Sequence, residues 1–112
     1  MSRKPLISIA IPAYNEAENI PELWRRLTAM FQGLESEYDF EAVVCENGSH
    51  DNSYEKLTEI QAADDRLKIV RLSRNFHMEG GMLAALSKVR GDACVVMSAD
   101  LQDPPEMIPE MI

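Results

Sequence analysis

Short apolar runs alternate with longer amphipathic segments along the chain. Four runs are rich in β-branched residues and have strand length, and these are residues 6–11, 40–46, 67–73 and 93–99. Three segments between them carry apolar residues at helical spacing or helix-forming sequences, and these are residues 16–34, a stretch around Tyr54, Leu57 and Ile60, and residues 78–89. The pattern therefore predicts the order β-α-β-α-β-α-β.

This alternation predicts an α/β fold with parallel strands joined by right-handed helical crossovers. The strands look apolar on both faces, as a sheet covered on both sides requires. In such sheets ligands bind beyond the carboxyl ends of the strands. Those ends carry the sequences "PAYNE", "ENGSHD", "LSRNF" and "SADLQD", so polar residues are concentrated where a ligand is expected.

The composition of the chain excludes several classes of protein. The 112 residues suit one small domain, and the net charge of −8 argues against a nucleic-acid surface. Cys45 and Cys94 both lie in apolar runs, which predicts two reduced core residues. No apolar run approaches the roughly 20 residues that span a membrane, and the N-terminal run is too short for a signal peptide. The chain is therefore predicted to be cytoplasmic.

The segment after the fourth strand offers candidate metal ligands. Asp103 can cap a helix that begins at Pro104, with Glu106 completing the capping pattern. Asp100 and Gln102 are left unexplained, and alternation places them on one side of an extended segment. Their oxygens suit a hard divalent cation that also takes phosphate oxygens. The alternative is a solvated turn.

The ends of the other strands offer candidate nucleotide contacts. Gly48 permits a tight turn, and Ser49 or Asp51 can cap the second helix, but neither role explains Glu46 at the strand tip. A carboxylate there can accept hydrogen bonds from a nucleobase or a ribose. Arg74 is the cation that the pattern places at a strand end, with an ordinary surface arginine as the alternative.

The loop after the first strand has its own features. Pro12 and Ala13 leave room for a flat ligand and Tyr14 offers a ring, while Asn15 or Glu16 could simply begin the helix. Neither GxGxxG nor GxxxxGK[ST] occurs, so no glycine-rich phosphate loop is encoded. A bound diphosphate would therefore need a metal.

Taken together, "ISIAIPAYNEAENI", "CENGSHDNS", "LSRNFHMEGGMLAAL" and "VVMSADLQDPPEMIP" resemble family 2 glycosyltransferases. The similarity is greatest to the bacterial branch that includes relatives of dolichyl-phosphate mannosyltransferase and other polyprenyl-phosphate sugar transferases. The resemblance implies a GT-A fold, with a mostly parallel sheet in the order 3-2-1-4. It also implies inverting sugar transfer from a UDP- or GDP-sugar to a polyprenyl-phosphate or glycan, with Mg²⁺ or Mn²⁺.

The resemblance also implies a set of site residues. The nucleotide-sugar contacts are Pro12, Ala13, Tyr14, Glu16, Glu46, Gly48, Arg74, Ser98, Ala99 and Asp100, and the metal ligands are Asp100 and Gln102. Three positions depart from the family pattern: Glu46-Asn47 replaces two aspartates, His77 replaces a glycine, and Ser98 replaces the first acid of the "DxD" triplet. The change at Ser98 removes one charge from the cation site.

The resemblance covers residues 1–112 as the nucleotide-sugar-binding part of a catalytic domain. We expect the acceptor half, the general base and any anchor to the inner face of the membrane to lie beyond Ile112, so the chain alone is expected to be inactive. Four apolar residues should then be exposed or buried against a second copy, giving a homo-oligomer, and these are Met107, Ile108, Met111 and Ile112.

Two functions of other classes remain as alternatives. One is a non-catalytic nucleotide-binding or interaction module that works at this length. The other is a nucleotidyltransferase, which would need a glycine-rich, basic phosphate loop that "PAYNEAEN" does not supply.

Overall fold

Strands and helices alternate as predicted. The computed structural model describes residues 4–74, 77–100 and 105–108, without the side chains of 77–79, 81 and 107. The strands are β1 (Leu6–Ala13), β2 (Asp39–Asn47), β3 (Leu67–Leu72) and β4 (Ala93–Val96). The helices are α1 (Ile20–Leu34), α2 (Ser53–Ala63) and α3 (His77–Leu86), followed by a short 3₁₀ turn at Pro105–Met107.

The four strands form one parallel sheet in the order β3-β2-β1-β4, which confirms the predicted topology. The register places Ala13 opposite Glu46 and Glu46 opposite Arg71. These three residues therefore form one row across the carboxyl-terminal edge of the sheet.

The core consists of two layers on either side of β1 and β2. On one face, alternate residues of β1 such as Ile9 and Ile11 pack with Leu27 and Phe31 of α1. On the other face, Ala10 and Val43 pack against Ala85 of α3. Both central strands are buried almost throughout, so the ends of β1 and β2 have little freedom to move.

Helix α1 begins later than the sequence predicts. Asn15 adopts a left-handed backbone conformation, with φ of 52°. The Glu16 carbonyl then accepts hydrogen bonds from the amides of Asn19 (2.9 Å) and Ile20 (3.0 Å). The expectation that Asn15 or Glu16 begins the helix is therefore wrong, because these residues belong to a separate turn before α1.

The two cysteines have different environments. Both are free, and Cys45 is buried in the central strand β2, as predicted. Cys94 is exposed, so its assignment to the core is wrong. The reason is that β4 pairs only with β1 and lies at the edge of the described sheet.

The turn at Pro105–Met107 packs against α1. Arg26 of α1 donates two hydrogen bonds to the Glu106 carboxylate, and Ile108 is only 2% exposed within the same chain. The expectation that Ile108 is exposed or buried against a second copy is therefore wrong, since α1 and the core already cover it. Gln102, Asp103, Met111 and Ile112 lie outside the described residues, as does the side chain of Met107.

A buried polar cluster interrupts the strands that the sequence suggests are wholly apolar. The Glu41 carboxylate accepts hydrogen bonds from Ser8 Oγ (2.5 Å), Lys68 Nζ (2.7 Å) and the Arg90 amide (2.6 Å). Burial raises the pKa of Glu41, but these hydrogen bonds outweigh it and hold that pKa below its ordinary value. Through these hydrogen bonds the loop before β4 is bound to β1 and β2.

No helix among the described residues has the length and apolarity needed to cross a bilayer.

Candidate functional site

Two loops at the carboxyl-terminal edge of the sheet are hydrogen-bonded to each other. The Asn15 amide donates to Ser49 Oγ (2.9 Å), and the His50 amide donates to Asn15 Oδ1 (2.8 Å). The left-handed conformation of Asn15 is thus held by partners on the β2–α2 loop. These reciprocal bonds fix the loops after β1 and β2 as one unit.

Asp51 and Ser53 extend this connection. The Asp51 carboxylate accepts hydrogen bonds from the Ser53 hydroxyl, the Ser53 amide (3.0 Å) and the Ala17 amide (3.2 Å). Burial raises the pKa of Asp51, but the bonds from Ser53 and Ala17 hold it below its ordinary value. The N-cap of α2 is Asn52, which makes no side-chain cap hydrogen bond. The expectation that Ser49 or Asp51 is the cap is therefore wrong, because Ser49 binds the β1–α1 loop and Asp51 joins that loop to Ser53 from the position before the cap.

Glu46 lies at the end of β2, on the wall of a pocket of about 420 Å³. Its side chain is almost fully buried, and Oε1 accepts a hydrogen bond from the Ser49 amide (2.7 Å). Gly48 takes the positive φ of 73° that allows this tight turn. The pocket is lined by Glu46, Gly48, Ser49, His50, Arg71, Leu72 and Ser73.

Arg71 is a charged pocket residue that the sequence analysis missed, as it also missed His50, Leu72 and Ser73. Its guanidinium lies 3.9 Å from the centre of the Tyr54 ring, and its Nε is 3.7 Å from Glu46 Oε2. Arg74, the cation that the sequence favours, is exposed at the bend after β3. Arg71 lies directly opposite Glu46 on the neighbouring strand. The sequence alone does not show this, because it does not give the register of the strands.

The end of β1 contributes two buried small residues and one aromatic ring to the site. Pro12 and Ala13 are buried, and the half-buried Tyr14 meets the His50 ring edge to face at 6.3 Å. The Glu16 carboxylate accepts a hydrogen bond from Asn19 Nδ2 (2.7 Å). Tyr14 is thus placed beside the pocket, whereas Glu16 stabilises the turn before α1.

The segment after β4 supplies oxygen atoms. Ala99 is buried in the core, while Ser98 and Asp100 are half-buried on either side of it. The Asp100 amide donates to Ser98 Oγ (3.3 Å), which holds the triplet in a turn. The Asp100 carboxylate and Ser98 hydroxyl are hard oxygen donors of the kind that Mg²⁺ and Mn²⁺ take.

Within the described ranges, no three His, Cys, Asp or Glu side chains come together as a ready-made metal cluster. Because β1 lies between β2 and β4, the Glu46 pocket and the Ser98–Asp100 turn are two strand spacings apart, or about 10 Å. A nucleoside diphosphate has the length to bridge them.

A larger pocket of about 670 Å³ opens at the opposite edge of the sheet, where Lys4, Tyr38 and Arg66 are among the lining residues. It lies at the amino-terminal ends of the strands, where ligands of such sheets do not bind. Arg66 is already hydrogen-bonded to Asp64 there. The carboxyl-terminal edge is therefore the better candidate.

Comparisons with known proteins identify the family and the fold of the chain. Residues 8–112 match the sequence profile of Glycosyl transferase family 2. Over 108 residues the chain is 42% identical to the undecaprenyl-phosphate 4-deoxy-4-formamido-L-arabinose transferase of Pseudomonas fluorescens (strain SBW25). This match covers 95% of the chain and 31% of the relative, so the chain spans about a third of the length of that protein.

Solved structures share the fold. The mannosyltransferase PcManGT of Pyrobaculum calidifontis, in complex with GDP-Man and Mn²⁺, matches 88% of this chain and 28% of its own, with a TM-score of 0.75 and 21% identity. TarS (1–349) of S. aureus, in complex with UDP, matches 88% of this chain and 28% of its own, with a TM-score of 0.70 and 25% identity. The predicted GT-A fold is thereby confirmed, and the chain belongs to glycosyl transferase family 2.

Proposed function

We propose that residues 1–112 are the donor-binding part of an inverting glycosyltransferase and that the carboxyl-terminal edge of the sheet binds a nucleoside-diphosphate sugar. The observation that carries the proposal is the pocket at the ends of β2 and β3, with a buried carboxylate and an arginine on its wall. Membership of glycosyl transferase family 2 supports the same site.

In this proposal each strand end contacts a different part of the nucleotide. The base lies in the pocket, where Glu46 accepts a hydrogen bond from a ring N–H. Tyr14 and the bare backbone at Pro12 and Ala13 border the nucleoside. The diphosphate reaches the turn after β4, and Arg74 lies near the base or the phosphates.

Asp100 is the proposed metal ligand, with Gln102 as the second. Mg²⁺ or Mn²⁺, when bound, neutralises the diphosphate and stabilises the charge on the leaving group. The mannosyltransferase complex with GDP-Man and Mn²⁺ supports a divalent metal for this fold. Ser98 contributes a neutral oxygen in place of a second carboxylate, so the metal should bind well only together with the donor.

The acceptor and the chemical step belong to the longer protein. A polyprenyl phosphate is the proposed acceptor, and the similarity to an undecaprenyl-phosphate sugar transferase supports that choice over a glycan. A general base that deprotonates the acceptor, supplied from outside residues 1–112, completes the reaction. Association with the inner face of the membrane follows from such an acceptor.

Calorimetric titration of the chain with UDP, GDP and CDP, with and without Mn²⁺, tests the donor site. We expect one of the three to bind and Mn²⁺ to strengthen its binding. Asp100→Ala should abolish the gain from Mn²⁺ and leave metal-free binding nearly unchanged. Glu59→Ala, an exposed acid on α2, is the matched control. Absence of binding by all three nucleotides at millimolar concentration would leave the interaction module as the better interpretation.

A further inference from the structure

The guanidinium of Arg71 lies between an aromatic ring and a buried carboxylate. On one side it lies 3.9 Å from the centre of the Tyr54 ring of α2, and on the other its Nε is 3.7 Å from Glu46 Oε2. We propose that Arg71 is a positioning residue of the donor pocket, held by Tyr54, that fixes the Glu46 carboxylate for recognition of the nucleobase. This inference rests on the proposed function.

The strand register makes this contact specific. Glu46 and Arg71 are directly opposite each other on adjacent parallel strands, so their side chains leave the same face of the sheet. Tyr54 reaches that face from the first turn of α2. Each of the three side chains therefore comes from a different element, and their contact depends on the complete β2–α2–β3 unit.

The Glu46 carboxylate is buried and one of its oxygens is already bound. Its side chain is 1% exposed, and Oε1 accepts a hydrogen bond from the Ser49 amide. Arg71 Nε lies 3.7 Å from the second oxygen, Oε2, so the two contacts together restrict the orientation of the carboxylate.

Arg71 also has the exposure that a pocket residue needs. Its side chain is 57% exposed and lines the same pocket as Glu46. The Tyr54 ring supports the flat guanidinium from below through a cation–π contact, which restricts its rotamers. The Glu46 carboxylate beside it is thereby presented to the pocket in one orientation, as an acceptor for a ring or amino N–H of the base.

The chain provides a matched control for this arrangement. Arg66 also lies over an aromatic ring, 5.3 Å from the centre of Phe31, and also pairs with a carboxylate, that of Asp64. It precedes β3, whereas Arg71 lies near the end of β3. Both arginines thus contact an aromatic ring and a carboxylate, but they lie at opposite ends of β3.

The test compares binding of a nucleoside diphosphate with binding of its nucleoside. The diphosphate is whichever of UDP and GDP binds the parent chain more tightly, and the nucleoside is uridine or guanosine accordingly. We expect Arg71→Gln to weaken the binding of both ligands by the same factor, about tenfold. This is the loss expected when the base can no longer make a well-oriented hydrogen bond to the charged Glu46 carboxylate. Arg66→Gln should leave both affinities unchanged.

Conservative variants separate positioning from folding. Arg71→Lys should restore part of the affinity, Tyr54→Phe should retain all of it, and Tyr54→Leu should lose most of it. Thermal unfolding of each variant identifies any that are not folded at the assay temperature. Tyr54→Phe and Arg71→Lys keep the ring or the charge, so they still decide the question if Tyr54→Leu or Arg71→Gln does not fold.

Two results would overturn the inference while leaving the proposed function intact. One is a diphosphate affinity that falls in Arg71→Gln while the nucleoside affinity stays constant, because Arg71 would then act on the phosphates. The other is a parent chain that binds the diphosphate and an Arg71→Gln variant that binds both ligands as tightly. A parent chain that binds no nucleotide overturns both the inference and the proposed function.

Discussion

At the scale of single residues, position in the sheet decides the chemistry of the two thiols. Cys45 is fully buried in the central strand β2, and burial, with a smaller contribution from Glu46, raises its pKa to about 11. Cys94 is exposed on the edge strand β4. Burial raises the pKa of Cys94 as well, so the main difference is the access of a reagent to the sulfur, and the two residues should react at very different rates.

We therefore predict that iodoacetamide at neutral pH modifies Cys94 in the folded chain and leaves Cys45 unmodified until the chain unfolds. Mass spectrometry of the digested protein, with and without denaturant, measures both sites. Rapid modification of Cys45 without denaturant would show that β2 is not the buried central strand.

Glu41 gives a pH-dependent contribution to stability. Its carboxylate has a lowered pKa in the folded chain, so it stabilises the fold above the ordinary value of about 4.5 and ceases to do so as the pH falls through the lowered value. Glu41→Gln should lower the free energy of unfolding at pH 7 by about 1–3 kcal/mol, because it disrupts a buried hydrogen-bond cluster.

Urea unfolding of parent and Glu41→Gln at pH 7 and at pH 3 measures this effect. The difference between the two proteins should shrink at the lower pH. Glu59→Gln, at an exposed position on α2, should differ little from the parent at either pH. A difference for Glu41→Gln that is the same at both pH values would contradict the account.

At the scale of elements, close contacts distinguish two glycines. A Cβ on Gly91 would clash with Ser8 Oγ and would lie 2.7 Å from the Leu6 carbonyl oxygen and 2.8 Å from the Ser8 amide nitrogen. Two of these three atoms belong to the backbone of β1 and cannot move aside cheaply. A Cβ on Gly33, in α1, would meet nothing within 4 Å.

Gly91→Ala is therefore predicted to destabilise the chain by about 1–3 kcal/mol, as overpacking does, and Gly33→Ala to stabilise it by about 0.5–1 kcal/mol through higher helix propensity. Thermal or urea unfolding of the two variants provides the comparison. Equal effects from both substitutions would mean that the loop before β4 does not pack on β1 as described.

The elements themselves follow from the sequence more reliably than their ends. The alternation of apolar runs is enough to predict all four strands and three helices in order. The start of α1 is missed by four residues because Asn15 takes a left-handed conformation held by Ser49 and His50, which lie more than 30 residues away. The exposure of Cys94 is missed because an apolar run does not reveal that its strand lies at the sheet edge.

The same limit applies to the site. Glu46 closes the apolar run of β2, Tyr14 follows β1 and Asp100 lies in the turn after β4, so the rule for parallel sheets is sufficient to nominate them. Arg71 also lies near the end of its strand, β3, but it would ordinarily be taken as a solvent-facing charge. Its function in the pocket depends on the register with Glu46 and on Tyr54 from α2, which no local pattern contains.

At the scale of the whole molecule, the chain after β4 returns to α1 and closes the core. Ile108 is buried there and Arg26 is hydrogen-bonded to Glu106.

Ile108→Ala should lower the free energy of unfolding by about 2–5 kcal/mol through the cavity that it creates. Sedimentation should show the same oligomeric state for variant and parent, since Ile108 belongs to the core of one chain; dissociation of a parent oligomer by this substitution would contradict that assignment. Self-association of the chain through its other apolar residues stays a prediction.

The most direct test of the central claim is an amide NMR titration of this 12.6 kDa chain with the nucleotide that binds best. We predict shifts confined to the strand ends around residues 12–16, 46–53 and 71–74, and line broadening that is strongest at residues 98–100 when Mn²⁺ is added with the nucleotide. Shifts at the opposite edge, around Tyr38 and Arg66, or Mn²⁺ broadening remote from Asp100, would contradict a donor site at the carboxyl ends of the strands.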